Sequence, residues 1–176
     1  MPTLNEAMEA LNRLLHETLA HEASEGIVLS GGIDSSLLAY HVSKIKPITG
    51  ITMVLDSTEA PDRRFSKIVA ERLGIKHILK TFTVEEATTA ARDIVRIMKT
   101  FDHIEIRNGI TVYLAIERSR EEGLTCTITG DGGDELFAGY DYMVRMGSQE
   151  LYAYIANLTK KWTFSAPIWV GLWELR

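Results

Sequence analysis

The chain contains one cysteine, Cys126, four prolines and only 8% aromatic residues. A lone cysteine excludes a disulfide scaffold. It also leaves no thiolate cluster for zinc, and His16, His21, His41, His77 and His103 are scattered without ligand spacing. Cys126 falls inside an expected strand and reads as a buried small hydrophobe. There is no excess of positive charge: 19 basic against 24 acidic side chains give a net charge of -5. That excludes the electrostatic footprint of non-specific nucleic-acid binding. No apolar run reaches the roughly 18 residues that would suggest a membrane span. The opening Met1-Pro2-Thr3-Leu4-Asn5-Glu6 has neither the basic region nor the apolar core of a signal peptide. A cytoplasmic protein engaging neither membrane nor nucleic acid is expected. What is present is 45% hydrophobic residues in 176, enough for one domain core and too apolar for disorder.

The apolar pattern predicts strands alternating with helices. Leu4, Ala7, Met8, Leu11, Leu14, Leu15 and Leu19 recur at helical spacing over Leu4 to Ala20. Strands are expected at Ile27–Leu29, Ile48–Leu55, Lys76–Phe82 and Thr125–Thr129. Between them, helices are expected from Asp34 to Lys44 and from Pro61 to a stop at Gly74. A capping box, Thr83-Val84-Glu85-Glu86, opens another helix to about Thr100, and a further one spans Gly109 to Glu122. Two last helical segments fall at Glu135–Val144 and Gln149–Lys160. Such alternation implies parallel crossovers and a three-layer, doubly wound α/β fold of Rossmann-like type. One domain is expected over residues 1–160. An apolar segment over 161–176 holds all three tryptophans, Trp162, Trp169 and Trp173. It is expected to pack on the core or on a partner, with a homo-oligomer as one outcome.

Leu29-Ser30-Gly31-Gly32-Ile33-Asp34-Ser35-Ser36 stands where the first strand turns into a helix. Two glycines let the backbone approach an anion, the helix start supplies free amides, and Ser30, Ser35 and Ser36 add hydroxyl donors. No Gly-Lys-Ser/Thr follows, so this is not a Walker A loop. A cradle without the lysine suits pyrophosphate as a product, and Asp34 in it makes sense as a ligand for a bridging Mg²⁺. The string resembles the pyrophosphate loop of the N-type ATP pyrophosphatases, the adenine nucleotide alpha hydrolase-like enzymes. These cleave ATP between its α and β phosphates, adenylate an acid or amide oxygen, and displace AMP with nitrogen.

After the fourth strand comes Thr129-Gly130-Asp131-Gly132-Gly133-Asp134-Glu135-Leu136-Phe137-Ala138-Gly139-Tyr140, with three carboxylates and four glycines in twelve residues. In a doubly wound sheet the first and fourth strands flank the switch point beyond which ligands bind. Both loops would then meet over one crevice, with Asp34 and Asp134 sharing the metal. This second string resembles the asparagine synthetase signature. The resemblance implies nucleotide contacts for Thr129 and Gly130, metal binding for Asp134, and for Asp131 the place of a glutamate that helps deprotonate ammonia. Asp131 is one methylene shorter than that glutamate, and Ala138 replaces a glycine. Phe101-Asp102-His103-Ile104-Glu105-Ile106-Arg107 also resembles the synthetases and offers Arg107 to a phosphate or carboxylate. Met53 and Val54, at the end of the second strand, are expected near the adenine.

The resemblance therefore implies an ATP- and Mg²⁺-dependent ligase. It would adenylate a small carboxylate, aspartate by analogy, and form an amide with ammonia. The missing cysteines argue against the zinc-bearing and thiolating branches. Glutamine-dependent synthetases begin with a cysteine and an amidase domain, so nitrogen is expected as free ammonia or from a separate amidase subunit. The family's adenylation lysine lies beyond this length, leaving Lys160 and Lys161 as the nearby substitutes. Two other readings stand beside this one. One is a nucleotide-binding module working through a partner; the other is a different amidotransferase of the same superfamily.

Overall fold

The computed structural model describes residues 3–22 and 24–161. Helix α1 (Leu4–His21) leads into strand β1 (Gly26–Val28), helix α2 (Ile33–Ser43) and strand β2 (Thr49–Leu55). Helix α3 (Pro61–Leu73), strand β3 (Lys76–Phe82) and helices α4 (Val84–Met98) and α5 (His103–Glu121) follow. Strand β4 (Thr127–Ile128) then precedes α6 (Gly133–Phe137), α7 (Asp141–Val144) and α8 (Ser148–Lys161). All pairings are parallel, in the order β3-β2-β1-β4, with Gly26 opposite both Thr49 and Thr127. The expected three-layer doubly wound α/β fold is present.

One face of the sheet carries α1, α2 and α3, where Ile27 and Leu29 pack with Leu19, Ala39, Val42 and Ala70. The other face carries α4 and α5, where Ile51, Met53, Ile78 and Phe82 pack with Ala115. Local signals explain the helix limits. Thr83 Oγ1 accepts the Glu86 amide at 3.2 Å while Glu86 returns to the Thr83 amide at 2.6 Å. Pro61 opens α3, and Gly74 ends it in the left-handed region, φ 65°.

Several expectations are corrected. The helix expected from Gly109 starts at His103, because the Asp102 carboxylate caps it, accepting the amides of Ile104 at 2.8 Å and Glu105 at 3.0 Å. Gly109 sits inside that helix, where a Cβ would lie 3.3 Å from Ile94 of α4. The single helix expected over Glu135–Val144 is two, broken where Ala138 takes φ 57°. Helix α4 stops at Met98 rather than near Thr100, with Lys99 left-handed at φ 53°. Strand β4 covers Thr127–Ile128 rather than Thr125–Thr129. Trp162, Trp169 and Trp173, and the packing expected of their segment, lie outside the described residues. Among the described residues, no helix is long and apolar enough to cross a membrane.

Candidate functional site

The first loop closes on its own serines. Ser30 Oγ accepts the Gly32 amide at 3.1 Å and lies 3.0 Å from Ser35 Oγ, which donates to the Gly32 carbonyl at 3.3 Å. Leu29, fully buried, anchors the loop from below. Gly31 adopts φ 82°, and a Cβ there would collide with the backbone of Phe65 and Ser66 in α3. Only glycine satisfies both demands. Helix α2 begins at Gly32 with no side-chain cap, so its first amides are not satisfied by a capping residue. Ser36 Oγ is buried without a hydrogen-bond partner. A cradle with an uncapped helix start and an orphan hydroxyl is suited to an anion.

The second loop lies directly against it. A Cβ on Gly130 would come 3.1 Å from the Ser35 amide nitrogen, and one on Gly133 would come 2.8 Å from Asp34 Cγ and Oδ1. These two glycines are therefore what lets the β4 turn seat on the start of α2. Gly139 likewise leaves room for the Asp134 carboxylate, which a Cβ there would strike. Neighbouring Glu135 accepts the Tyr140 hydroxyl at 2.6 Å, and this contact, before burial, raises the Tyr140 phenol.

Charge accumulates at the junction. Burial first, and then the carboxylates of Asp134 and Glu135, push the Asp34 carboxyl above its ordinary range. Gathering negative charge in this way costs free energy unless a cation is shared. The donor set of two aspartates beside that cradle is all oxygen, the chemistry Mg²⁺ prefers, and an anionic ligand and water would complete its shell. Among the described residues there is no group of three or more His, Cys, Asp or Glu side chains able to hold a metal alone. The residues present fit an ion held jointly by protein and ligand.

The other expected residues fall as follows. Thr129 Oγ1 accepts the Asp131 amide at 3.4 Å, fixing the turn from within. Asp131 is exposed and borders a cleft of about 520 Å³ between α4 and α5. Met53 is packed in the core beneath α5, and Val54 is 3% exposed. Arg107 is on the exposed side of α5, and its hydrogen bonds run to Asn108 Oδ1 at 3.4 Å. Among the described residues, no hydrogen bond or ion pair joins it to either loop. The side chains of Lys160 and Lys161 lie outside the described ones. Cys126 is buried, and burial first, then Glu22, holds its thiol above the ordinary value, as befits an inert core position.

Three features escaped the sequence reading. Thr52 Oγ1 donates to the Leu29 carbonyl at 2.5 Å and meets His77 Nε2 at 2.9 Å, tying three strands together below the first loop. A polar pair inside an apolar strand run is the signal that marks it. The small Ser66, fully buried on α3, receives the Gly31 turn. Finally, Glu135 adds charge beside Asp34.

A parallel sheet whose first and fourth strands adjoin, each ending in a glycine-rich loop at one crevice, defines a doubly wound, Rossmann-like domain with that crevice at its switch point. Comparison with known proteins supplies the family. The asparagine synthase family model matches residues 6–166, and the chain belongs to that family. A probable glutamine-hydrolyzing asparagine synthetase of Schizosaccharomyces pombe is 30% identical over 162 residues, which cover 82% of this chain and 29% of that protein. Glutamine-hydrolyzing asparagine synthetase B of Escherichia coli is 28% identical over 151 residues, covering 78% of this chain and 27% of that protein. The chain thus spans less than a third of the length of these relatives. NMN synthetase from Francisella tularensis shares the fold, with a TM-score of 0.53 at 17% identity over 80% of this chain and 60% of that one.

Proposed function

We propose that this domain is the ATP-using part of an amide-forming, AMP-releasing ligase. The observation that carries the reading is the seating of Gly130 and Gly133 against Ser35 and Asp34, which brings two carboxylates to the rim of an anion cradle. The amides at the start of α2, with Ser30, Ser35 and Ser36, hold the β- and γ-phosphates of ATP and stabilise pyrophosphate as it leaves. Asp34 and Asp134 would hold Mg²⁺, which when bound neutralises phosphate charge and withdraws electrons from the breaking bond. Thr129 and Gly130 border the α-phosphate side, and the end of β2 at Met53 and Val54 lies under the adenine. A small carboxylate, aspartate by family, attacks the α-phosphorus to give an acyl-adenylate. Ammonia, free or delivered by an amidase subunit, then displaces AMP while Asp131 accepts its proton. Arg107 binds the acceptor's carboxylate. A cytoplasmic location accords with this chemistry.

The test is release of AMP and pyrophosphate from ATP, Mg²⁺, aspartate and ammonium, beside an Asp34→Ala variant. Release exceeding that variant's by at least tenfold is expected. Product formation independent of aspartate would retain the ligase class and reject the acceptor. A second reading, a nucleotide-binding module without turnover, is favoured by the outward, Asn108-paired guanidinium of Arg107. ATP binding without AMP release would select it.

A further inference from the structure

The turn that seats against Asp34 has a second side. Gly130 and Gly133 face the phosphate cradle, while Asp131, between them, borders the cleft of about 520 Å³ that runs along the α4–α5 pair. The walls of that cleft are aliphatic: Ile94, Ile97 and Met98 from α4, with Val112 and Ile116 from α5. Its polar rim carries Glu105, Glu117 and Asp131 beside the neutral Asn108, and among the described residues no basic side chain lines it. Glu117, partly buried, meets the exposed Arg120 of its own helix only at 4.0 Å. The negative field is felt by Tyr113 in the same wall. Its phenol is raised by burial first, then by Glu117 and Asp93. Its hydroxyl reaches Asp93 at 3.5 Å.

Apolar walls under three carboxylates select by charge complementarity. They oppose a dicarboxylate or a free acid and favour a cation with an apolar body. We propose that this cleft binds a primary amine carrying an aliphatic or aromatic group and presents it at Asp131 as the nitrogen nucleophile. The inference rests on the acyl-adenylate reading above and changes its nucleophile from ammonia to an amine. The ammonium form enters and one proton leaves for solvent. The nitrogen lone pair then forms the C–N bond as the acyl C–O bond breaks. AMP departs with that electron pair, and the second nitrogen-bound proton passes to Asp131.

Two measurements separate this inference from the reading beneath it. Without ATP, ¹H–¹⁵N NMR titration with 2-phenylethylamine should shift the Ile97 and Val112 amides, while 3-phenylpropionate at equal concentration leaves them in place. Substituting Glu105→Gln together with Glu117→Gln should weaken the amine about fivefold or more, from the loss of one exposed and one partly buried charge contact. Equal response to the acid, or undiminished binding by the double variant, overturns the proposal whatever the turnover. With ATP, Mg²⁺ and aspartate, AMP release should rise at least tenfold more with 2-phenylethylamine than with equimolar ammonium. Release driven by ammonium and not by the amine overturns it. Release with neither overturns the ligase reading, and the titration still judges the cleft.

Discussion

Replacing Gly133 with alanine tests the closeness of the two loops directly. The new Cβ would stand 2.8 Å from Asp34 Cγ and Oδ1. Relaxed carbon contacts lie at about 3.5–4.0 Å, so Asp34 must retreat by more than half an ångström or rotate. In a rigid core such overpacking costs about 1–3 kcal/mol. Asp34 is half-buried with one side open, which places the cost near the lower end. Alanine also recovers up to about 1 kcal/mol of helix propensity as α6 begins. The two terms nearly cancel, so urea unfolding should show a stability change within about 1 kcal/mol of zero. Binding should not be spared. A displaced carboxylate forfeits a charge-assisted contact worth about 1.5–3 kcal/mol, or about tenfold to a hundredfold in Mg-ATP affinity by calorimetry. Gly147→Ala, at a glycine with nothing within 4 Å of the added Cβ, should leave both quantities unchanged. Wild-type Mg-ATP affinity in Gly133→Ala would refute the shared site.

Ala138→Gly should stabilise the domain. The alanine at φ 57° carries about 1–2 kcal/mol of left-handed cost, from which roughly 0.5–1 kcal/mol of glycine entropy is subtracted. A rise of about 2–4 °C in Tm per kcal/mol is expected for this length, and a fall would show that the turn is not held as described. Acidification below about pH 6.5, the ordinary histidine value, should destabilise the fold. Burial first, then Lys44 and His16, lowers the His41 pKa, and burial lowers that of His77 against an opposing pull from Glu71. The unfolded chain therefore takes up protons before the folded one as pH falls below about 6.5. Stability is full above that point and declines towards the folded pKa. His41→Gln should flatten the Tm profile across that interval; an unaltered slope would rule out His41 as a source. Thr83→Ala removes the cap of α4 and should cost about 1 kcal/mol in urea unfolding, with no effect on Mg-ATP affinity.

Much of the fold was readable because its limits are set by local chemistry. Thr83 with Glu86, Pro61 and Gly74 act within one turn of chain, and the structure places those boundaries where they were expected. Where neighbours in space decide, the reading failed. Gly109, expected at a helix start, lies inside α5, where its bare Cα admits Ile94 of α4. The Asp102 cap was present in the sequence but was read only as part of a resemblance. The break at Ala138 was hidden by the apolar Leu136 and Phe137 before it. The same division runs through the candidate site. Glycines and aspartates in a short turn announce an anion or a metal, but not which side of the turn each residue serves. Here one side is fixed by close packing, since a Cβ on Gly130 or Gly133 would press on the start of α2. Asp131, set between them, is left at the cleft of the α4–α5 pair, whose walls come from residues more than a dozen positions away in the chain. Nothing in the loop's own sequence encodes the polarity of those walls. On the amine proposal, the choice of nucleophile rests on how the α4–α5 pair is built, and the loop's own sequence does not carry it.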